Sequence, residues 1–210
     1  MIETIALVRW EDPVTYYYVG LAFWGGYLMG SIPFGLIFTW AAGAGDVRKI
    51  GSGNIGATNV LRTGKRWAAA ATLICDALKG YIPVVFASGY FGIQVFAAIA
   101  GLGAFTGHLF PVWLKFRGGK GVATFIGIAA ALDLRSALLI CASWMIMARV
   151  SRYSSVSALF AAVLAPVYFL FFGRTLGAAL MALLAVLIFI SHRSNIGRLV
   201  RGEEPQIGVR

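Results

Sequence analysis

The sequence predicts an all-α, polytopic integral membrane protein with seven transmembrane helices, its N-terminus outside the cell and its C-terminus inside. Of the 210 residues, 60% are hydrophobic and only 12% are charged, with a mean hydropathy of +0.82. Because a soluble domain carries about 25% charged residues, a water-soluble fold is excluded. We attribute the net charge of +10 to membrane topology and an anionic substrate, and we expect no nucleic acid as a partner.

Seven apolar segments follow one another along the chain. A spanning helix needs about 20 apolar residues, so the fourth and fifth segments are individually short. If these two formed one helix, Asp133 and Arg135 would lie near the bilayer centre, at a cost of about 2.5–3.5 kcal/mol each. Two short helices with an external turn at residues 132–136 avoid this cost, which favours seven spans over six. The segments are residues 17–42, 67–88, 91–114, 122–132, 136–148, 156–172 and 176–190.

The basic residues determine the predicted orientation. With the N-terminus outside, 14 of the 18 Lys and Arg residues lie on the inner side, since only Arg9, Arg135 and Arg174 lie outside and Lys79 lies within a helix. Lys and Arg concentrate in cytoplasmic loops, and only an odd number of spans brings all these residues to one side. The inner segments are residues 46–66, 115–120, 149–155 and 192–210.

We predict a single membrane-embedded domain over residues 1–210, with an N-terminal extension at 1–15 and a cytoplasmic tail at 191–210. A secretory signal would begin with positive charge, whereas acidic residues precede the first apolar segment. We therefore interpret that segment as a retained helix.

The first inner segment, DVRKIGSGNIGATNVLR at 46–62, is unusually polar and flexible for so hydrophobic a chain. Its glycines allow backbone conformations that are closed to other residues, so that amide groups can turn toward a ligand. Arg62 adds a fixed positive charge, a combination that suits a phosphate group. A solvated loop rich in turn residues explains the composition equally well. Small hydrogen-bonding side chains come from Ser52, Asn54, Thr58 and Asn59.

A second glycine-rich stretch, RGGKG at 117–121, begins the fourth apolar segment. Glycines beside a lysine at a helix start can surround an anion with backbone amides, assisted by the helix dipole. It is not a Walker A loop, because Lys120 is followed by glycine instead of Ser or Thr, and Leu114 stands where that motif requires its first glycine. A basic turn beside the membrane is the alternative interpretation.

One pair of charged residues falls inside an apolar segment. Asp76 and Lys79 are three residues apart and hence on one face of the second predicted helix, about 14–18 Å from its start. Charges at such depth face the bundle or a polar cavity and are usually paired. We interpret them first as a structural ion pair and second as a wall of a substrate cavity.

Together these segments resemble the bacterial acyl-phosphate:glycerol-3-phosphate acyltransferases, the PlsY family. The resemblance covers everything except the first dozen or so residues, in order and with the family's spacing. The matching motifs are GSIPFG at 30–35, DxRxxGSGNxGATN at 46–59, DxxKG at 76–80, GHxFP at 107–111, FRGGKGVAT at 116–124, SRY at 151–153 and HRxNIxRLxxGxE at 192–204.

The resemblance implies a seven-helix enzyme of the bacterial inner membrane whose site faces the cytoplasm. It implies transfer of a fatty acyl group from acyl phosphate to the 1-hydroxyl of glycerol 3-phosphate, giving lysophosphatidic acid and phosphate for phospholipid biosynthesis. The expected partners are these two substrates and membrane lipids. We expect no cofactor, no metal and no obligate protein partner.

The resemblance also implies which residues form the site. We expect Arg62, Lys120 and His192 to hold the glycerol 3-phosphate anion, and Asn195 to orient it. Ser52 and the amides of its loop would polarise the acyl phosphate, whose own phosphate oxygen would take the proton. The catalytic residues are then Ser52, Lys120 and His192, and the substrate-binding residues are Ser52, Asn54, Arg62, Lys120, Ser155, His192 and Asn195.

The sequence departs from the family pattern at three points, one of which is the N-terminal extension with Trp10 to Tyr18, to which we assign no family role. Arg117 stands where the family usually has Lys, which keeps the charge, and the second serine of the loop after Tyr153 is displaced to Ser157.

The histidines lack another acyltransferase signature. Soluble-type glycerolipid acyltransferases have an aspartate five residues after the catalytic histidine, but those positions are Trp113 after His108 and Gly197 after His192. A histidine at a membrane boundary is more often structural than catalytic. Direct base catalysis by His192 remains an alternative to proton transfer onto the donor.

Two other classes of function remain open from the residues alone. A transporter of a phosphorylated metabolite would also place cations in a helix bundle, but it should show paired halves with broken helices, and the chain has no visible internal repeat. A membrane scaffold would explain the hydropathy but not the polar segments gathered on one side.

Overall fold

The computed structural model describes residues 8–208, and in this range the chain forms ten α-helices. The all-α prediction is confirmed for these residues. Short 3-10 turns lie at Val47–Lys49 and Val112–Leu114. The helices are α1 (Pro13–Gly30), α2 (Phe34–Ala41), α3 (Ala57–Leu61), α4 (Arg66–Phe91), α5 (Gln94–Leu109), α6 (Val122–Leu132), α7 (Leu134–Ser151), α8 (Ser154–Phe171), α9 (Thr175–Ser191) and α10 (Arg193–Val200).

Each predicted apolar segment coincides with helical structure. Five stretches are long and apolar enough to cross a bilayer: Pro13–Ala41, Arg66–Phe91, Gln94–Leu114, Leu134–Ser151 and Ser154–Phe171. Helices α9 and α10, bent by 58° between them, provide a sixth if the pair counts as one span. Helix α6 has 11 residues and is apolar but short. Residues 8–208 therefore contain five to six candidate spans, and seven spans with the stated orientation remain a prediction.

The first apolar segment is broken between α1 and α2. Pro33 biases Ile32 away from the helical conformation, and the Ile32 carbonyl oxygen accepts a short-range hydrogen bond of 3.1 Å from the amide of Phe34. Lys79 of α4 adds a second donor, with Nζ 2.8 Å from the same oxygen. An intramembrane lysine thus satisfies a backbone group that lipid could not.

The predicted turn between the fourth and fifth apolar segments is present. Helix α6 ends at Leu132, and the carboxylate of Asp133 caps α7 by accepting hydrogen bonds from the amide (2.9 Å) and hydroxyl (2.8 Å) of Ser136. Arg135 and Arg174 lie 3.0 and 3.6 Å from the same carboxylate. The charged residues that argued against one long helix therefore lie in a turn, where their charges are paired.

Close packing holds α1 against α5. A side chain at Gly26 would overlap the backbone of Ala100, and one at Gly103 would overlap that of Phe23. Such glycine contacts let membrane helices approach at backbone distance. The largest apolar cluster lies among α5, α6, α8 and α9, where Phe105, Phe125, Ile128, Phe169, Met181 and Leu184 are fully buried.

Candidate active site

The predicted inner segments meet at one end of the bundle. Thr58 of the glycine loop lies 3.5 Å from Ser154 at the start of α8. Ser191 at the end of α9 donates to the carbonyl oxygen of Lys120 at 3.3 Å. The tail returns to the loop before α8, where the amide of Ile207 donates to the Arg152 carbonyl at 2.7 Å.

The glycine loop is folded around one buried side chain, that of Asn59. Its amide nitrogen lies 2.8–2.9 Å from the carbonyl oxygens of Val47, Ile50 and Asn54. Its oxygen accepts a hydrogen bond of 3.1 Å from the Ser52 amide. The sequence placed Asn59 among the candidate ligand-facing groups, whereas its side chain fixes the loop from inside. The loop is therefore ordered from within by Asn59, while Gly51, Ser52 and Gly53 remain exposed.

The geometry limits what this loop can offer to an anion. The amide of Gly53 donates to Ile50, and that of Ser52 is bonded to Asn59. The hydroxyl of Ser52, on an exposed residue, and the half-buried Asn54 are the side chains that the loop presents. The side chain of Arg62 passes beside Gly51, so the loop and this cation share one surface.

Lys120 lies on a turn that is fixed to the end of α5. The amides of Gly118 and Gly119 donate to the carbonyl oxygens of Leu109 (3.0 Å) and His108 (3.1 Å). The pKa of Lys120 is lowered to about 8, mainly by burial; Glu204 raises the pKa, and Arg198 and Arg62 lower it. Lys120 is therefore a cation at neutral pH that loses its proton far more readily than an exposed lysine.

His192 lies at the bend between α9 and α10 and is 3% exposed. Its pKa is lowered to about 4, mainly by burial; the hydrogen bond to Ile188 and the charge of Glu204 raise the pKa, and the charge of Lys120 lowers it. The imidazole is hence neutral at pH 7. Its Nδ1 lies 2.8 Å from the Ile188 carbonyl oxygen, which assigns the hydrogen to Nδ1 and leaves Nε2 as an acceptor.

The residue that sequence reasoning missed is Glu204. Its carboxylate accepts hydrogen bonds from Ser155 (2.7 Å), Asn195 (2.6 Å) and Arg198 (2.7 Å). Burial alone would raise the pKa of Glu204, but these three donors outweigh it and the pKa is lowered. Glu204 is the last residue of the final family motif. We assigned it no role from the sequence, because a carboxylate is not expected in a cationic site.

The contacts of Glu204 change how two predicted site residues are understood. Ser155 and the amide nitrogen of Asn195 are both bonded to this carboxylate. The side-chain oxygen of Asn195 is buried without a hydrogen-bond partner among the described residues. A buried acceptor of this kind is costly unless something donates to it, so it is available to a ligand hydroxyl.

The charged side chains around Lys120 carry a net positive charge. Arg62, Arg198 and the carboxylate of Glu204 all act on the pKa of Lys120, which gives three cations and one carboxylate. The surplus of two positive charges equals the charge of a phosphate monoester dianion. The hydrogen bonds and charges around Glu204 join Lys120, His192, Asn195 and Ser155 with Arg62. Ser52 and Asn54 are linked to Arg62 through Asn59, whose oxygen lies 3.5 Å from the guanidinium of Arg62.

The family model for glycerol-3-phosphate acyltransferase matches residues 20–202. The chain belongs to this family. A glycerol-3-phosphate acyltransferase of Rhodopseudomonas palustris (strain BisB5) is 56% identical over 183 residues, 87% of this chain and 93% of the relative. One of Bradyrhizobium sp. (strain BTAi1) is 59% identical over 185 residues, 88% of this chain and 93% of the relative.

Solved structures agree. The crystal structure of PlsY, an integral membrane glycerol 3-phosphate acyltransferase, in its glycerol 3-phosphate form is 35% identical, with a TM-score of 0.84 over 92% of this chain and 95% of that one. Its lysophosphatidic acid form gives 34% and 0.82, with the same coverage. The resemblance to the PlsY family is thus confirmed. The protein is an integral membrane glycerol-3-phosphate acyltransferase, which disfavours the transporter and scaffold hypotheses.

Proposed function

We propose that this protein transfers a fatty acyl group from acyl phosphate to the 1-hydroxyl of glycerol 3-phosphate, releasing lysophosphatidic acid and phosphate. The observation that carries the proposal is the cationic cluster around Lys120, with its surplus of two charges beside unpaired hydrogen-bond acceptors. The glycerol 3-phosphate and lysophosphatidic acid forms of the related PlsY structure support the acceptor and the product.

Lys120 and Arg62 hold the phosphate of glycerol 3-phosphate in this proposal. Hydrogen bonds between ionised partners are about twice as strong as neutral ones, and partial burial of Lys120 strengthens its attraction to an anion. A bound dianion also stabilises the protonated amine, so the low pKa of the free enzyme does not prevent binding at neutral pH.

The glycerol hydroxyls meet the two unpaired acceptors. Asn195 Oδ1 is buried and free, and the Nε2 atom of the neutral His192 carries a lone pair. His192 therefore contacts a hydroxyl in this arrangement, which refines the expectation from the sequence that it binds the phosphate. Glu204 orients Asn195 and Ser155 through its hydrogen bonds.

Acyl phosphate binds beside the glycine loop, where Ser52 donates from its hydroxyl and Asn54 lies next to it. The 1-hydroxyl oxygen attacks the acyl carbon, the bond from that carbon to the phosphate oxygen breaks, and the hydroxyl proton passes to a phosphate oxygen of the donor. The donor is an activated anhydride with phosphate as its leaving group, so neither a covalent enzyme intermediate nor a metal is required.

The proposed topology places this chemistry on the cytoplasmic side of the bacterial inner membrane. Seven spans with the N-terminus outside put 14 of the 18 Lys and Arg residues on the side of the site, in accord with the positive-inside rule. Cysteine substitutions labelled by a membrane-impermeant maleimide in intact cells test it: a residue introduced at Gly173 should be labelled, and one at Gly202 should not. Labelling at Gly202 contradicts the orientation.

The donor is tested with purified protein in lipid nanodiscs. Glycerol 3-phosphate is supplied with palmitoyl phosphate, palmitoyl-CoA or palmitoyl-acyl carrier protein, and lysophosphatidic acid and free phosphate are both measured. Equal amounts of the two products are expected with palmitoyl phosphate alone. Product formation from either thioester but not from palmitoyl phosphate contradicts the proposal.

A further inference from the structure

A buried polar cluster lies beneath the turn between α5 and α6, on helices that the proposed chemistry does not use. Asp76 and Lys79 of α4 are both 3% exposed, and their side chains form an ion pair of 2.8 Å, as the sequence predicted. Lys79 also holds the broken end of α1 through Ile32. His108, near the end of α5, and Thr124, in the first turn of α6, complete the cluster.

One side of the His108 ring is bonded to α6. The Thr124 hydroxyl donates its hydrogen to the carbonyl oxygen of Asp76 at 2.9 Å. The same hydroxyl lies 3.2 Å from His108 Nδ1, and since its hydrogen is already used, Nδ1 must be the donor. The carboxylate of Asp76 lies on this side too, 3.9 Å from Nδ1.

The opposite side of the ring supports Gly119. A methyl group on Gly119 would overlap the imidazole, and the three nearest atoms to it, Nε2, Cε1 and Cδ2, all belong to His108. The Gly119 amide is in addition bonded to the His108 carbonyl at 3.1 Å. One ring therefore contacts the residue immediately before Lys120 and the residue four positions after it, Thr124.

We propose that His108 is a positioning residue that fixes the location of Lys120 relative to the phosphate of glycerol 3-phosphate, and that Thr124, itself bonded to the carbonyl oxygen of Asp76, holds His108 in place. The inference rests on the proposed role of Lys120. A misplacement of about 1 Å can cost about 100-fold in rate when a charged group must meet its partner in fixed geometry. Besides the backbone hydrogen bonds of Gly118 and Gly119, the glycine turn is supported by the ring that lies against Gly119.

Complementary substitutions test the contact. Gly119→Ala inserts a methyl group into the ring, while His108→Asn removes Cε1 and Nε2 but keeps an N–H that can bond Thr124. Each single variant is expected to raise KM for glycerol 3-phosphate about tenfold and to leave KM for palmitoyl phosphate within about twofold. In the double variant the methyl fills the vacated space, and KM should return to within about threefold of the wild-type value.

Several outcomes overturn the positioning role. It fails if the two substitutions multiply their effects on KM, or if the KM values for both substrates rise together. A matched control is Ser143→Ala, which removes a buried hydrogen bond of 2.6 Å to Tyr168 between α7 and α8. If this variant raises KM for glycerol 3-phosphate as much, the effect is general loosening and the proposal is wrong.

The role of Lys120 is checked separately. Wild-type KM for glycerol 3-phosphate in Lys120→Ala contradicts the proposed site itself. A strong defect in Lys120→Ala, combined with multiplicative effects of the Gly119 and His108 substitutions, contradicts only the positioning role.

Discussion

The lowered pKa of Lys120 makes the alkaline side of the pH profile informative. With a pKa of about 8, Lys120 is about 90% protonated at pH 7 and about 10% protonated at pH 9 in the free enzyme. The charged groups that act on it are Arg62, Arg198 and Glu204. If only the cationic form binds the acceptor phosphate, kcat/KM for glycerol 3-phosphate should fall about tenfold between these values, because this parameter reports the free enzyme.

Titration of the substrate changes little between pH 7 and pH 9, since a phosphate monoester with a second pKa of about 6 is already about 90% dianion at pH 7. The measurement is the initial rate of lysophosphatidic acid formation at limiting glycerol 3-phosphate and saturating palmitoyl phosphate, from pH 6.5 to about 9.5, the range that brackets the pKa.

A matched variant identifies the group that titrates. Lys120→Arg keeps the charge with a pKa above about 12, so the alkaline fall should disappear even if the overall rate is lower. The same fall in Lys120→Arg would show that another group titrates and would refute the reasoning.

Three further substitutions test the separate roles. Ser52→Ala should lower kcat by about 100-fold, as loss of one donor to a developing oxyanion does, with KM for glycerol 3-phosphate unchanged; a change in that KM alone would contradict a role at the donor. His192→Ala should lower kcat by less than about 100-fold without rescue by imidazole, because the donor takes the proton; rescue would identify His192 as the base. Glu204→Gln should destabilise the fold by about 1–3 kcal/mol in thermal melts. It should also move the alkaline fall to lower pH, since Glu204 raises the Lys120 pKa, and an unmoved fall would contradict their coupling.

The helices were predictable because a charged residue within the bilayer carries a large energetic cost at any position of a spanning helix. The break at Asp133 followed from the cost of burying a charge, and the Asp76–Lys79 pair followed from helical spacing combined with the same cost. These are local arguments, and the positions of α6, α7 and the ion pair agree with them.

The interior of the site was less predictable, because its contacts join residues far apart in sequence. The sequence does not distinguish an asparagine such as Asn59 that contacts a ligand from one that bonds the backbone of its own loop. Glu204 carries the opposite charge to that expected around a phosphate group, and its presence is explained only by the three groups that donate hydrogen bonds to its carboxylate. His108 was discounted because no partner followed it in sequence, whereas Asp76 and Thr124 reach it from other helices.

The surplus of positive charge around Lys120 attracts other anions when no substrate is bound. Two uncompensated charges attract mobile anions from the surrounding solution, so the acceptor substrate must displace these counterions when it binds. Binding is then an ion exchange, and the apparent KM for glycerol 3-phosphate should rise with ionic strength as screening shortens from about 10 Å at 0.1 M to about 3 Å at 1 M salt. A KM that is independent of salt would mean that Glu204 and its neighbours already neutralise the site.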